Sequence, residues 1–162
     1  SDTRRVRKLK GGTYLVCHER DGAVREYDAA GKVVWEFAVP LFGKERKPAH
    51  GPEAFGNQTY SALRLENGNT LIATGNGHSV LEVTPQKEIV WKLEKELPDI
   101  TLAWVTTLQV LPNGNYIIGN CHAGPVQPQL IELEPKTKKV VWTMKEYDRF
   151  GNDVSNAIVV AP

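Results

Sequence analysis

Three stretches of this 162-residue chain repeat one another. The first runs Gly11-Gly12-Thr13-Tyr14-Leu15-Val16, a polar turn, Val24-Arg25-Glu26-Tyr27-Asp28, a second turn, and Lys32-Val33-Val34-Trp35. The second reads Asn67-Gly68-Asn69-Thr70-Leu71-Ile72-Ala73, turn, Val80-Leu81-Glu82-Val83-Thr84, turn, Glu88-Ile89-Val90-Trp91. The third reads Asn113-Gly114-Asn115-Tyr116-Ile117-Ile118, a longer turn, Leu130-Ile131-Glu132-Leu133-Glu134, turn, Lys139-Val140-Val141-Trp142. Such repetition narrows the possible folds sharply, because a repeated unit buries its apolar face against the next copy and not against an unrelated core.

Within each copy the elements are short, rich in Val, Ile, Leu, Tyr and Thr, and bounded by Gly, Asn, Pro or Asp, which is the pattern of strands. Asn-Gly ahead of a strand marks a tight hairpin, since both residues tolerate positive φ. A further strand precedes each hairpin, at Thr3 to Leu9, Tyr60 to Leu65 and Thr106 to Leu111. The unit is therefore a four-stranded antiparallel meander with a period of roughly 50 residues, which is the size of a propeller blade. The expected architecture is an all-β propeller, with blades at 3–37, 60–93 and 105–144, a long inter-blade loop at 38–59, and an innermost strand of a further blade at 154–160. Glu94 to Ile100 is the one stretch with the character of a short helix, limited by Pro98. Three blades do not close a ring, because propellers close with about 4 to 8. The sequence thus predicts the C-terminal half of a six- or seven-bladed propeller. Its partners are the remaining blades, from the rest of a parent chain or from a second copy.

Composition removes several alternatives. Twenty Lys+Arg against 19 Asp+Glu leave a net charge of +1, with 41% apolar and 24% charged residues, the balance of a soluble globular chain. A nucleic-acid binder would be strongly basic, and no apolar run has the length of a membrane span or of a signal peptide core. The basic run Arg4, Arg5, Arg7, Lys8 and Lys10 reads as a solvated strand, with an anionic ligand in view if Arg5 or Arg7 faces the channel. Cys17 and Cys121 stand in different blades without CxxC spacing, which predicts two free thiols and no structural zinc site.

At Tyr27-Asp28-Ala29-Ala30-Gly31-Lys32-Val33-Val34-Trp35 the sequence resembles the tryptophan-docking repeat of quinoprotein-type (PQQ-like) propellers. In that repeat an Asp, a Gly-Lys turn and an outer-strand Trp lock neighbouring blades. The resemblance runs through all three copies, with Thr84 and Glu134 replacing the Asp and Gly-Lys kept in the first. It implies blade-docking roles for Trp35, Trp91 and Trp142. No cofactor is expected, since the adjacent-cysteine pair of quinone-dependent dehydrogenases is absent from these residues. The second copy also resembles blades of arylsulfotransferase-like propellers. The stronger resemblance is to uncharacterised exported bacterial propellers, carried by Gln129-Leu130-Ile131-Glu132 after the long third turn and by the segment following Phe150-Gly151. It implies an extracytoplasmic, periplasmic or secreted protein that binds a small ligand or a protein.

Candidate binding residues follow from the blade scheme. His18 and Arg20, His78, and His122 fall in or beside the turns after the second strands, and His50 in the inter-blade loop, so all would share one face with Trp104 at the channel mouth. Loop residues on a rigid scaffold commonly carry binding, and histidine serves as base, nucleophile or ligand near neutral pH. No short histidine spacing forces ligands around one ion, so no metal site is expected. The leading expectation is a ligand- or protein-binding scaffold. The alternative is a propeller enzyme with a channel-mouth histidine, such as an arylsulfotransferase-like transferase, or a quinone-dependent dehydrogenase completed by the missing blades. Catalysis would require a histidine within hydrogen-bond reach of an arginine, a carboxylate or a second histidine.

Overall fold

Alternation and turn chemistry build three separate four-stranded antiparallel sheets in the computed structural model, which describes residues 2–160. The first contains β1 (Thr3–Lys8), β2 (Tyr14–His18), β3 (Ala23–Tyr27) and β4 (Val33–Ala38). The second contains β5 (Ser61–Arg64), β6 (Thr70–Ala73), β7 (Val80–Val83) and β8 (Ile89–Leu93). The third contains β9 (Trp104–Val110), β10 (Tyr116–Cys121), β11 (Leu130–Glu134) and β12 (Lys139–Met144). Each sheet pairs its strands in chain order, as blades of a β-propeller do.

Two apolar clusters join the three blades. Leu15, Cys17, Val24 and Phe37 of the first blade pack against Ile72, Leu81 and Val83 of the second. Leu71, Ala73, Val80 and Leu93 of the second pack against Val105, Leu108, Ile118 and Ile131 of the third. Period-2 alternation explains β6: Leu71 points to one neighbour and Ile72 to the other, and all four residues of the strand are buried. A middle blade must be apolar on both faces.

The first hairpin of each blade has one design. Leu9, Leu65 and Leu111 donate their N–H to the carbonyls of Thr13, Asn69 and Asn115, while Gly12, Gly68 and Gly114 donate back to the same three leucines. These glycines sit at φ of +88°, +88° and +86°. Of the two turn residues that tolerate positive φ, the glycine adopts it. Asn67 and Asn113 keep ordinary backbone and accept the N–H of Asn69 and Asn115 through Oδ1, at 2.9 and 3.0 Å. The turn is thus a type I turn closed by a left-handed glycine, supported by an Asn side chain in the second and third blades, where the first has Gly11.

Glu26, Glu82 and Glu132 then clamp that hairpin to the third strand. They accept from Thr13 Oγ1 (2.6 Å), Asn69 Nδ2 (2.6 Å) and Asn115 Nδ2 (2.7 Å). The clamp lies within a blade, and Glu26 also reaches the next blade through an ion pair with Arg64.

Tryptophans lock the blades from outside. Trp35 donates Nε1–H to the Pro85 carbonyl of the second blade, and Trp91 does the same to Pro135 of the third, each at 3.0 Å. Trp142 is 48% exposed and makes no such bond among the described residues. On the inner side, Arg7 donates to Ala62 O (3.0 Å) and Leu108 O (2.9 Å), bracing the inner strands of all three blades. The basic run is therefore not a simple solvated strand, because part of it faces inward and satisfies backbone carbonyls.

One local expectation differs from the structure. Residues 94–100 form bends and turns, not a helix. Glu96 instead accepts the N–H groups of Glu94 and Lys95 through Oε2, which favours a tight turn over helical propagation. A short helix, α1 (Tyr147–Phe150), follows the third blade. Residues 154–160 join no ladder. Ala157 N donates to Thr107 Oγ1, and Val159 exchanges two hydrogen bonds with the Gln109 side chain, so the segment runs beside β9 on side-chain contacts.

Candidate ligand site at the blade seams

Each second strand ends where the next blade begins, and that junction holds the polar side chains. In the first seam Thr59 Oγ1 donates toward the carbonyls of His18 and Ala23. In the second, Gly75 and Val105 exchange both backbone hydrogen bonds, at 3.1 and 3.0 Å. In the third, His122 N donates to Asn152 O at 2.8 Å, and Asn152 Oδ1 accepts Gly124 N at 3.0 Å. His18, His78 and His122 thus occupy corresponding seams, but their chemistry diverges.

His18 is buried and bonded through Nε2 to Tyr27 Oη at 2.8 Å. Burial, with the Arg25 guanidinium adding to it, holds its imidazole below the ordinary histidine range, so it is neutral at physiological pH. Arg20 is exposed and reaches Asp2 at 3.5 Å. His78 lies between two backbone carbonyls, Ala103 O at 2.7 Å and Ala54 O at 2.5 Å, which ties the long loop to the third blade. Those three residues are engaged by the protein's own groups.

His50, Trp104 and His122 converge. The His50 ring stacks on Trp104 at 5.4 Å with an interplanar angle of 20°, and lies 5.5 Å from the His122 ring. Trp104 and His122 are 6.0 Å apart. Trp104 is buried, whereas His50 is exposed at the outer end of the stack. The loop of residues 38–59 presents His50 because it is itself structured. Lys47 and Phe55 exchange backbone hydrogen bonds, Arg46 holds the Asn57 side chain, and Asn57 Nδ2 donates to Val39 O.

Beside the stack lies a grouping that the sequence did not reveal. Cys121 Sγ is 2.8 Å from His122 Nδ1, and His122 Nε2 is 3.0 Å from Asp153 Oδ1. His122 adopts φ +59°, an unfavourable conformation for a residue with a Cβ, held by its backbone bond to Asn152. Cys121 is 2% exposed, and burial, reinforced by the Asp153 carboxylate, pushes its thiol up to about 11. Cys17 is likewise buried, with its thiol pushed up to about 12, and both cysteines are free. Asp153 follows the third blade and carries no motif, so sequence spacing offered no signal for its meeting with Cys121 and His122.

Comparison with solved structures places this architecture. A protein of unknown function from Bacteroides caccae superimposes with a TM-score of 0.74 at 25% identity, over 93% of this chain and 52% of its own. Virginiamycin B lyase from Staphylococcus aureus matches with a TM-score of 0.61 at 12% identity, over 89% of this chain and 41% of its own. The extracellular domain of a hybrid two-component system from B. thetaiotaomicron matches with a TM-score of 0.60 at 16% identity, over 86% of this chain and 18% of its own.

The neighbours are propellers. This chain spans about half the length of the B. caccae protein. No family profile and no curated protein matches the sequence. Among the described residues no helix is long and apolar enough to cross a membrane.

Proposed function

We propose that this chain is half of an extracytoplasmic, ligand-binding β-propeller of the quinoprotein-like repeat class, with its binding face at the seam loops around His50, Trp104 and His122. One observation carries the reading: three rings from three separate segments meet in one stack whose outer member, His50, is exposed. A buried Trp backing an exposed imidazole offers a flat surface with polar edges, suited to a planar or sugar-like ligand. The extracellular placement of one structural neighbour supports export. The exposure of Trp142, at the position where Trp35 and Trp91 dock the next blade, supports a further blade beside the third, supplied by a parent chain or a second copy.

The test is thermal melting of the purified chain against a panel of monosaccharides, aromatic amino acids and small carboxylates. At least one class should raise the Tm, and the double variant His50→Ala/His122→Ala should abolish that rise while keeping the unliganded Tm within a few degrees. No response from any class, or a response the double variant retains, would refute this site. Light scattering tests the blade reading, since a mass twice that of the chain means that two halves close a ring.

A second reading, group transfer with His122 as general base, is favoured by its placement 3.0 Å from the Asp153 carboxylate. It predicts turnover of an aryl sulfate in the presence of a phenol acceptor, lost in His122→Ala.

A further inference from the structure

We propose that Cys121, His122 and Asp153 form a binding site for a divalent transition-metal ion of the zinc type at the third seam. The proposal rests on the reading that the seam-loop face is the functional one, but not on the ligand there being organic.

Geometry comes first. One ligand atom from each of the three residues lies within 4.8 Å of the others. A zinc ion bound at about 2.0 to 2.3 Å to each donor needs those atoms roughly 3.5 Å apart in a tetrahedron. Cys121 Sγ faces His122 Nδ1 and Asp153 faces Nε2, so binding requires the exposed Asp153 side chain to swing to the Nδ1 side of the ring. The backbone holds the donor segments together. His122 N is bonded to Asn152 O and Gly124 N to Asn152 Oδ1, so the segment carrying Asp153 is fixed to the turn carrying Cys121 and His122. Cys121 Sγ also reaches Asn152 O at 3.4 Å.

Donor chemistry selects the ion. One sulfur, one imidazole nitrogen and one carboxylate oxygen suit zinc, whereas magnesium and calcium favour oxygen donors and copper(I) favours soft sulfur ligands. Three protein donors leave a fourth position for water or for a ligand, the arrangement of an open site.

Access distinguishes this reading from a cysteine nucleophile. The Cys121 thiol is 2% exposed, too enclosed for an acyl or sulfuryl substrate, yet a small ion needs contact with one lone pair. The carboxylate side is open, with the Asp153 side chain 79% exposed and that of His122 30%. Binding breaks the S–H bond, passes its proton to solvent and forms the sulfur–metal bond, so affinity rises with pH and the metal's oxidation state is unchanged.

The experiment is a Co²⁺ titration of the metal-free, reduced chain, read by the near-ultraviolet charge-transfer absorption that a thiolate–Co²⁺ bond produces. A one-to-one band that added Zn²⁺ bleaches is expected. Cys121→Ser should abolish it and Cys17→Ser should retain it. Asp153→Asn, a change at an exposed position that should not disturb folding, should weaken Co²⁺ binding at least about tenfold, as should His122→Gln. Absence of the band in the unmodified chain, its survival in Cys121→Ser, or unchanged affinity in Asp153→Asn would overturn the site. The two readings fail separately. Co²⁺ binding through Cys121 without any response to the organic panel keeps this site and removes the organic-ligand reading. A panel response without the Co²⁺ band does the reverse.

Discussion

Replacing Gly75 with alanine probes the seam that carries Trp104. Gly75 sits at φ +57°, where a residue with a Cβ loses about 1 to 2 kcal/mol. The added methyl would also overlap the Gln58 carbonyl oxygen and press on Trp104 Nε1 at 3.2 Å. Because the first obstacle is backbone, relief requires Gly75 to move. Movement weakens its paired hydrogen bonds with Val105, each worth about 1 kcal/mol. The expected loss is therefore about 3 to 4 kcal/mol. Gly114→Ala is the control, because Gly114 has φ +86° but nothing within 4 Å of its would-be Cβ, leaving a loss of about 1 to 2 kcal/mol. Urea unfolding followed by tryptophan fluorescence should separate the two variants by about 1 M in midpoint, given a slope of about 2 kcal/mol per molar. Equal midpoints would refute the claim that crowding at the second seam, and not glycine conformation alone, sets the cost.

Three further outcomes follow from the same structure. Trp91→Phe removes the hydrogen bond to Pro135 O and should cost at least about 1 kcal/mol, whereas Trp142→Phe should stay within about 0.5 kcal/mol in the isolated chain, a contrast read by urea midpoints. Burial alone would raise the Glu96 carboxyl, but Lys138 and backbone N–H groups outweigh it and hold it at about 2, below the ordinary 4.5. A depressed carboxyl stabilises the fold above its unfolded pKa, so this contribution should fade as pH falls from about 4.5 toward 2. Exposure limits it to less than about 1 kcal/mol, and Lys138→Met should flatten that part of the stability profile. Both thiols should resist Ellman's reagent at pH 8 in the folded chain and react fully in denaturant, while any sub-stoichiometric reaction of the denatured, unreduced chain would point to a disulfide.

Much of the architecture is local, and that is why it could be read from the chain. Leu71 and Ile72 alternate faces because a strand repeats every two residues, and Gly12, Gly68 and Gly114 announce hairpins because left-handed backbone favours glycine. The recurrence of Trp35, Trp91 and Trp142 exposed the period, and the period implied blades. Local reasoning misjudged Glu94 to Ile100, where Glu96 captures two backbone N–H groups and a turn replaces the helix. It read the run around Arg7 as a solvated strand and left an inward Arg7 open as a site for an anion, since nothing in its neighbours reveals the carbonyls of Ala62 and Leu108 that the other two blades bring to it.

The candidate site divides along the same line. His50, Trp104 and His122 could be named one by one, because seam turns and a proline-bounded loop are where a propeller displays side chains. Their stacking depends on how the 38–59 loop folds on itself through Lys47, Phe55 and Asn57, and on His78, which lies between Ala54 O of the loop and Ala103 O beside the third blade. The Cys121, His122 and Asp153 grouping lay wholly outside sequence logic. Cys121 and His122 are adjacent and carry no metal-binding spacing, and Asp153 is brought to them by a chain reversal after the third blade, fixed by one asparagine. Periodicity and turn chemistry depend on near neighbours in sequence, so the chain alone determined the blades. Contacts between donors on different segments depend on how the blades pack and where the chain returns, so only the tertiary structure decided which side chains meet.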